Sequence, residues 1–127
     1  MSSIIDYTEF PGLEELYLEE DSYILGIKEV ATAVIFTVDA VLTPEHPQYH
    51  PPGPDEQNCY KRITITFSDI SKVNWVVRDM QVHRDASGEP DLGIFYRIVG
   101  IEGYFELSGE FGEIHIYGDS FPRVEYE

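Results

Sequence analysis

The donors most used by zinc-class metals in this 127-residue chain are four histidines and a single cysteine, Cys59. His46 and His50 stand four apart, a spacing that would place two imidazoles on one face of a helix and so hold a metal ion. Pro47 and Pro51 forbid that helix, because each removes a backbone donor and pushes the residue before it toward extended geometry. His83, His115 and Cys59 could join them only through the fold, since the paired local spacings of zinc motifs are missing. A second oxygen-rich stretch runs Asp85-Ala-Ser-Gly-Glu-Pro-Asp91, with Asp85, Ser87, Glu89 and Asp91 on alternate positions around Gly88. Those oxygens suit a hard cation, but the glycine is misplaced for an EF-hand and no glutamate closes a twelve-residue loop. A turn between strands, with Asp and Ser bonding to nearby backbone, is the stronger expectation. The chain also has no Gly-x-Ser-x-Gly elbow, no phosphate-cradling glycine loop and no His-Glu-x-x-His pair. No catalytic residue, metal or cofactor is assigned from the sequence.

Residues 43–58 form the longest stretch without periodicity and hold five of the eight prolines. A stiff loop displays its side chains at little ordering cost, which makes it the place to look for a ligand site. Tyr49 and His50 on this loop, with Tyr60 just beyond it and Trp75 farther on, are the candidate ligand-binding residues. The plainer expectation is an ordered crossover between sheets, with Tyr49 covering one end of the core.

Such a site needs a scaffold, and period-two alternation supplies it. Val34, Phe36, Val38, Ala40 and Leu42 point one way, with Ile35, Thr37, Asp39 and Val41 pointing the other. Ile63, Ile65 and Phe67 alternate with Arg62, Thr64 and Thr66, a pattern suited to a half-buried strand. An apolar run from Gly93 to Val99 is followed by alternation through Phe105 and Leu107. Ser108-Gly109-Glu110-Phe111-Gly112 then reads as a hairpin turn into Ile114 and Ile116. Val73, Trp75 and Val77 begin an alternation that slips to Met80 and Val82, which calls for a bulge across Arg78-Asp79. Leu16 and Leu18, then Tyr23, Leu25 and Ile27, fit two strands better than one helical turn of Leu13, Leu16 and Tyr17. The fold class expected is therefore all-β: one domain over residues 1–127, an antiparallel β-sandwich or partly closed barrel of about eight strands, with at most one short helix.

Charge bounds the partners. The formal net charge is −16, from 24 acids against eight bases. Residues 1–21 carry Asp6, Glu9, Glu14, Glu15, Glu19, Glu20 and Asp21 with no base, and residues 102–127 carry seven more acids against Arg123 alone. Such a surface repels phosphate, so a nucleic acid is excluded as a partner, and it attracts basic proteins. No run of about 18 apolar residues and no signal-peptide pattern is present, so no membrane contact is expected. One cysteine permits no internal disulfide, which points to the reducing cytoplasm.

His46-Pro47-x-Tyr49, Pro52, Cys59-Tyr60, Trp75 and Asp85-x-x-Gly88-x-x-Asp91-x-Gly93 together resemble an uncharacterised family of small acidic bacterial proteins, over about residues 10–117. That resemblance implies neither an activity nor catalytic residues. In size and acidity the chain is also similar to the immunity proteins that neutralise secreted bacterial toxins. The functional expectation is thus a protein-binding module, such as an immunity-like inhibitor of a basic toxin. The alternative is a small-ligand binder or enzyme with its pocket under the 43–58 loop.

Overall fold

The computed structural model describes residues 4–19, 21–54, 58–84 and 90–127, with no side-chain description for His83 and Arg84. Its strands are β1 (Ile4–Asp6), β2 (Leu16–Tyr17), β3 (Tyr23–Val30), β4 (Ala33–Leu42), β5 (Tyr60–Phe67), β6 (Lys72–Arg78), β7 (His83–Arg84), β8 (Pro90–Asp91), β9 (Phe95–Ile101), β10 (Tyr104–Gly109), β11 (Gly112–Tyr117) and β12 (Arg123–Tyr126). One 3-10 turn spans Tyr7–Glu9, capped by Asp6, whose carboxylate accepts from the Thr8 amide. Two antiparallel sheets face each other, ordered β1-β9-β10-β11-β6 and β12-β5-β4-β2, with β3 also on β4 and one sheet curled into a half-barrel.

The alternation read from the sequence sets these faces. Val34, Phe36, Val38, Ala40 and Leu42 are all buried, as are Ile63, Ile65 and Phe67 on β5, Phe105 and Leu107 on β10, and Ile114 and Ile116 on β11. Aromatic rings interlock where the sheets meet: Phe36 lies 6.0 Å from Phe67, 5.8 Å from Phe95 and 6.1 Å from Phe111. Buried aromatics in offset and edge-on contact bring both area and preferred geometry to the core.

The barrel is partly closed on one side by the chain between β2 and β3. Both strands pair with the same edge of β4, and between them the chain reaches across to the other sheet. Glu19 bridges Phe95 there, and its carboxylate accepts from the Ile98 amide at 2.9 Å. Ile24 and the 92–93 segment then exchange backbone hydrogen bonds, Ile24 N to Gly93 O and Leu92 N to Ile24 O. Ser22, fully buried, donates to Tyr17 O and accepts from Val41 N, so its hydroxyl satisfies two backbone groups where the strand is interrupted.

Three local expectations need correction. The 43–58 loop is not a crossover between sheets, because β4 and β5 pair with each other, Val41 opposite Tyr60. It is a long hairpin excursion. The slip in the Val73–Val82 segment falls earlier than Arg78-Asp79: β11 steps from Trp75 to Val77 opposite Ile114 and Glu113, so Val76 is the extra residue. Val76 and Val77 are consequently both exposed. Strands β9 and β10 meet at a tight turn, Ile101 opposite Tyr104, with Gly103 at φ +90°. The run from Val99 to Phe105 concealed it. The Asp85–Asp91 stretch falls mostly outside the described residues. Its flanks pair as β7 and β8, and the Asp91 carboxylate accepts from the Gly93 amide at 2.7 Å.

Candidate functional site

Two recesses flank the 43–58 excursion. On one side, Tyr17, Val41, Leu42, Pro44, Tyr49, Pro52, Asn58 and Cys59 line a hollow of about 220 Å³. Val41 lies on the outer face of its sheet yet is almost fully buried, since its cross-strand partners are Tyr17 on β2 and Tyr60 on β5. Tyr23 extends the patch, its ring 6.4 Å from that of Tyr60. The result is a tyrosine-rich surface at the mouth of a small hollow.

The other recess is charged. Gly12, Glu14, Glu15, His46, Pro47, Gln48, Val124 and Tyr126 line a trough of about 290 Å³. Sequence-distant segments meet here because the N-terminal chain runs beside the C-terminal one. Phe10 packs on Phe121 with centroids 5.5 Å apart, and a Cβ at Gly12 would stand 3.2 Å from the Val124 side chain. The turn after Phe10 is fixed by backbone bonds from Leu13 N to Phe10 O and from Leu16 N to Leu13 O, and by Leu13 plugging the core. Glu14 and Glu15 are thereby left beside Tyr126.

Hydrogen bonding fixes the chemistry of the trough floor. The Gln48 amide donates to His46 Nδ1 at 3.0 Å, so in the neutral ring the proton sits on Nε2 and is donated to the Tyr126 hydroxyl at 2.7 Å. The phenol's own proton is then free to be donated into the trough. Burial raises the Tyr126 pKa above its ordinary value, and the charges of Glu14 and Glu15 raise it further. The phenol stays a neutral donor beside two carboxylate acceptors.

The candidate residues named from the sequence divide between places. Tyr49 lines the 220 Å³ hollow and packs against the core. Tyr60 stands next to it on the tyrosine patch, its hydroxyl 3.5 Å from Asn58 Nδ2. His50 is exposed, its Nδ1 3.2 Å from the Pro51 carbonyl oxygen. Trp75 is elsewhere: its ring meets Phe111 edge-on at 6.1 Å, Arg78 lies 4.9 Å above it, and Nε1 donates to Glu29 at 3.3 Å. Glu29 is opposite Val34, eight residues along β4 from Leu42, so roughly 26 Å of strand separates Trp75 from the loop. The structure therefore brings Tyr49 and Tyr60 together and leaves Trp75 at the far end of the sandwich.

The histidines divide as well. His46 is engaged with Tyr126, Cys59 is buried, and His115 stands on the opposite sheet. Glu14, Glu15 and Tyr126 carried no local motif in the sequence, and only the charge asymmetry of the two chain ends hinted at them. No family model, curated protein or solved structure matches this chain. The functional reading rests on geometry and charge.

Proposed function

We propose that this protein is a protein-binding module of the immunity-like kind, which receives a basic partner on the side where its two acidic chain ends converge. The observation that carries this reading is the pairing of those ends: Phe10 with Phe121, Gly12 with Val124, and Glu14 and Glu15 with Tyr126. Two carboxylates from the start of the chain thus share one trough with a phenol from its end. Arg62 pairs with Asp39, Arg78 with Glu29, Arg97 with Glu106 and Arg123 with Glu125, whereas among the described residues no Lys or Arg lines the trough that holds Glu14 and Glu15.

The trough suits one long cationic side chain. Glu14 and Glu15 offer charge-assisted acceptors, Tyr126 offers a donor, and Val124 and Pro47 cover the aliphatic stem. The tyrosines beside the 43–58 loop, Tyr17, Tyr23 and Tyr60, are partly exposed, and aromatic residues of this kind dominate binding energy at interfaces. The hollow at Tyr49, at about 220 Å³, is below the roughly 300 Å³ at which small-molecule pockets begin. Protein binding is therefore preferred over a small-ligand site. A lone buried thiol at Cys59 is in keeping with a cytoplasmic setting.

The test is capture of partners from the host with the immobilised chain, comparing native protein with a Glu14→Lys/Glu15→Lys variant at low and high salt. The reading expects a basic protein that is released by salt and lost on charge reversal. A partner retained equally by the variant and in high salt would refute it, because steering by an acidic face is screened within about 8 Å at physiological ionic strength.

A further inference from the structure

On the outer face of the opposite sheet, away from both recesses, β10 and β11 place an imidazole between two carboxylates. Gly109 pairs with Gly112 across the hairpin, so Glu106 falls opposite His115, and Glu113 lies two residues before His115 on the same face. One donor atom from each of the three lies within 4.8 Å of the other two. His115 Nε2 is 2.7 Å from Glu113 Oε2 and 3.4 Å from Glu106 Oε1. The carboxylates can only accept, so a single imidazole proton is shared between two anionic acceptors.

We propose that Glu106, Glu113 and His115 form a binding site for a divalent transition-metal ion of the zinc class, with water completing its coordination. The donor spacing suits the ion. Bonds of about 2.0–2.1 Å in a tetrahedral site set neighbouring donors about 3.3–3.5 Å apart, and the 3.4 Å from His115 to Glu106 already has that separation. The Glu113 contact, 2.7 Å, must open by about 0.6–0.8 Å as the metal replaces the shared proton. All three side chains are partly buried, the imidazole at 16% exposure, and two neighbouring strands hold them in fixed register.

Adjacent groups orient the ligands. Arg97 Nε holds the second oxygen of Glu106, Oε2, at 3.2 Å, which leaves Oε1 turned toward His115. The Tyr104 ring lies 5.2 Å from the imidazole and stacks on Tyr117 at 5.0 Å, which restricts rotation of His115 about its side-chain bonds. Such outer contacts are what fix metal-ligating side chains. A nitrogen donor beside two carboxylates favours zinc or manganese over magnesium, which prefers an all-oxygen octahedron. This set is the one group of three such donors among the described residues, so the wider acidity of the chain does not reproduce it.

The decisive experiment titrates the intact protein with zinc chloride at pH 7, by calorimetry and by side-chain NMR of the four histidines. The expected result is one site, with the ring resonances of His115 perturbed first and a millimolar excess of magnesium failing to displace zinc. Glu106→Gln, Glu113→Gln and His115→Gln should each weaken binding at least tenfold. Zinc binding that perturbs another histidine first, or that survives all three substitutions, would overturn the proposal. So would displacement by magnesium at parity. The native-protein NMR gives its answer even if a variant fails to fold.

Discussion

Replacing Tyr7 by Phe should destabilise the protein by a predictable amount, and that cost should shrink in alkali. The Tyr7 hydroxyl is buried between β2 and the 3-10 turn, where it donates to Leu16 O at 3.0 Å and accepts from Leu18 N at 3.2 Å. Removing it withdraws a partner from two backbone groups beside buried leucines. Each such loss costs about 1–3 kcal/mol, and the hydroxyl desolvation avoided in Phe offsets part of it, so a net loss of about 2–3 kcal/mol is expected near pH 7. Burial raises the Tyr7 pKa above its ordinary value of 10.0, aided by the charge of Glu19 and opposed by the Leu18 hydrogen bond. A raised folded pKa means that the native state holds its proton where the unfolded state has released it. The stabilisation is therefore complete below pH 10 and is lost as pH rises toward the folded value. Urea unfolding followed by the fluorescence of Trp75, the only tryptophan, would measure native and variant protein at pH 7, 9 and 11. The gap between them should hold from pH 7 to 9 and narrow at 11. A gap under about 0.5 kcal/mol at pH 7, or one that widens in alkali, would refute the reasoning.

The remaining expectations are briefer to test. Gly112→Ala should cost more than about 3 kcal/mol, because the residue sits at φ +120° and a Cβ would meet the Val77 carbonyl oxygen at 2.1 Å; a Tm within a few degrees of the native protein would contradict this. Phe111→Ala should cost about 3–5 kcal/mol although its residue lies in a hairpin turn, since the ring is fully buried against Phe36, Phe95 and Trp75. Ordinary surface behaviour at this position, read by urea unfolding, would show that the tip does not enter the core. Raising sodium chloride from 10 to 300 mM should increase Tm, because screening relieves self-repulsion in a chain of net charge −16; a fall would mean that ion pairs outweigh repulsion. The Cys59 thiol should resist a disulfide reagent until the chain unfolds, as it is 2% exposed, and rapid labelling of native protein would count against the packing under the 43–58 loop.

Much of the scaffold was readable because its strands obey one period. On β4 the five residues that alternate in the sequence are all buried, joined only by Val41, which its tyrosine neighbours cover from outside, and β5, β10 and β11 keep to their alternation. A half-buried sheet leaves that trace because a one-residue slip would turn every side chain to the wrong face. The failures have equally local causes. β1 and β12, of three and four residues, are too short for a period to emerge, and they acquire strand geometry only by pairing with β9 and β5. The Val76 bulge was misplaced because exposed valines at 76 and 77 mimic a continuing apolar run. Tertiary pairing, not propensity, decides such positions.

The sites were less legible than the scaffold, but for one of them the missing step was arithmetic. Once Gly109-Glu110-Phe111-Gly112 is read as a turn whose glycines face each other, paired positions sum to 221, and Glu106 must lie opposite His115. Strand parity then places Glu113 on the same face. Local metal motifs do not capture this set, because its ten-residue span is bridged by strand pairing rather than by helical spacing. The acidic trough is different in kind. Glu14, Glu15 and Tyr126 meet only because Phe10 and Leu13 anchor the early turn against the core while β12 returns along β5. No periodicity within either segment encodes that encounter. What the sequence carried was its electrostatic consequence, two acid-rich ends that would repel each other unless aromatic packing held them together. Phe10 on Phe121 at 5.5 Å and on Phe105 at 5.5 Å supplies that packing, so the same contacts that close the sandwich also seat Glu14 and Glu15 beside Tyr126.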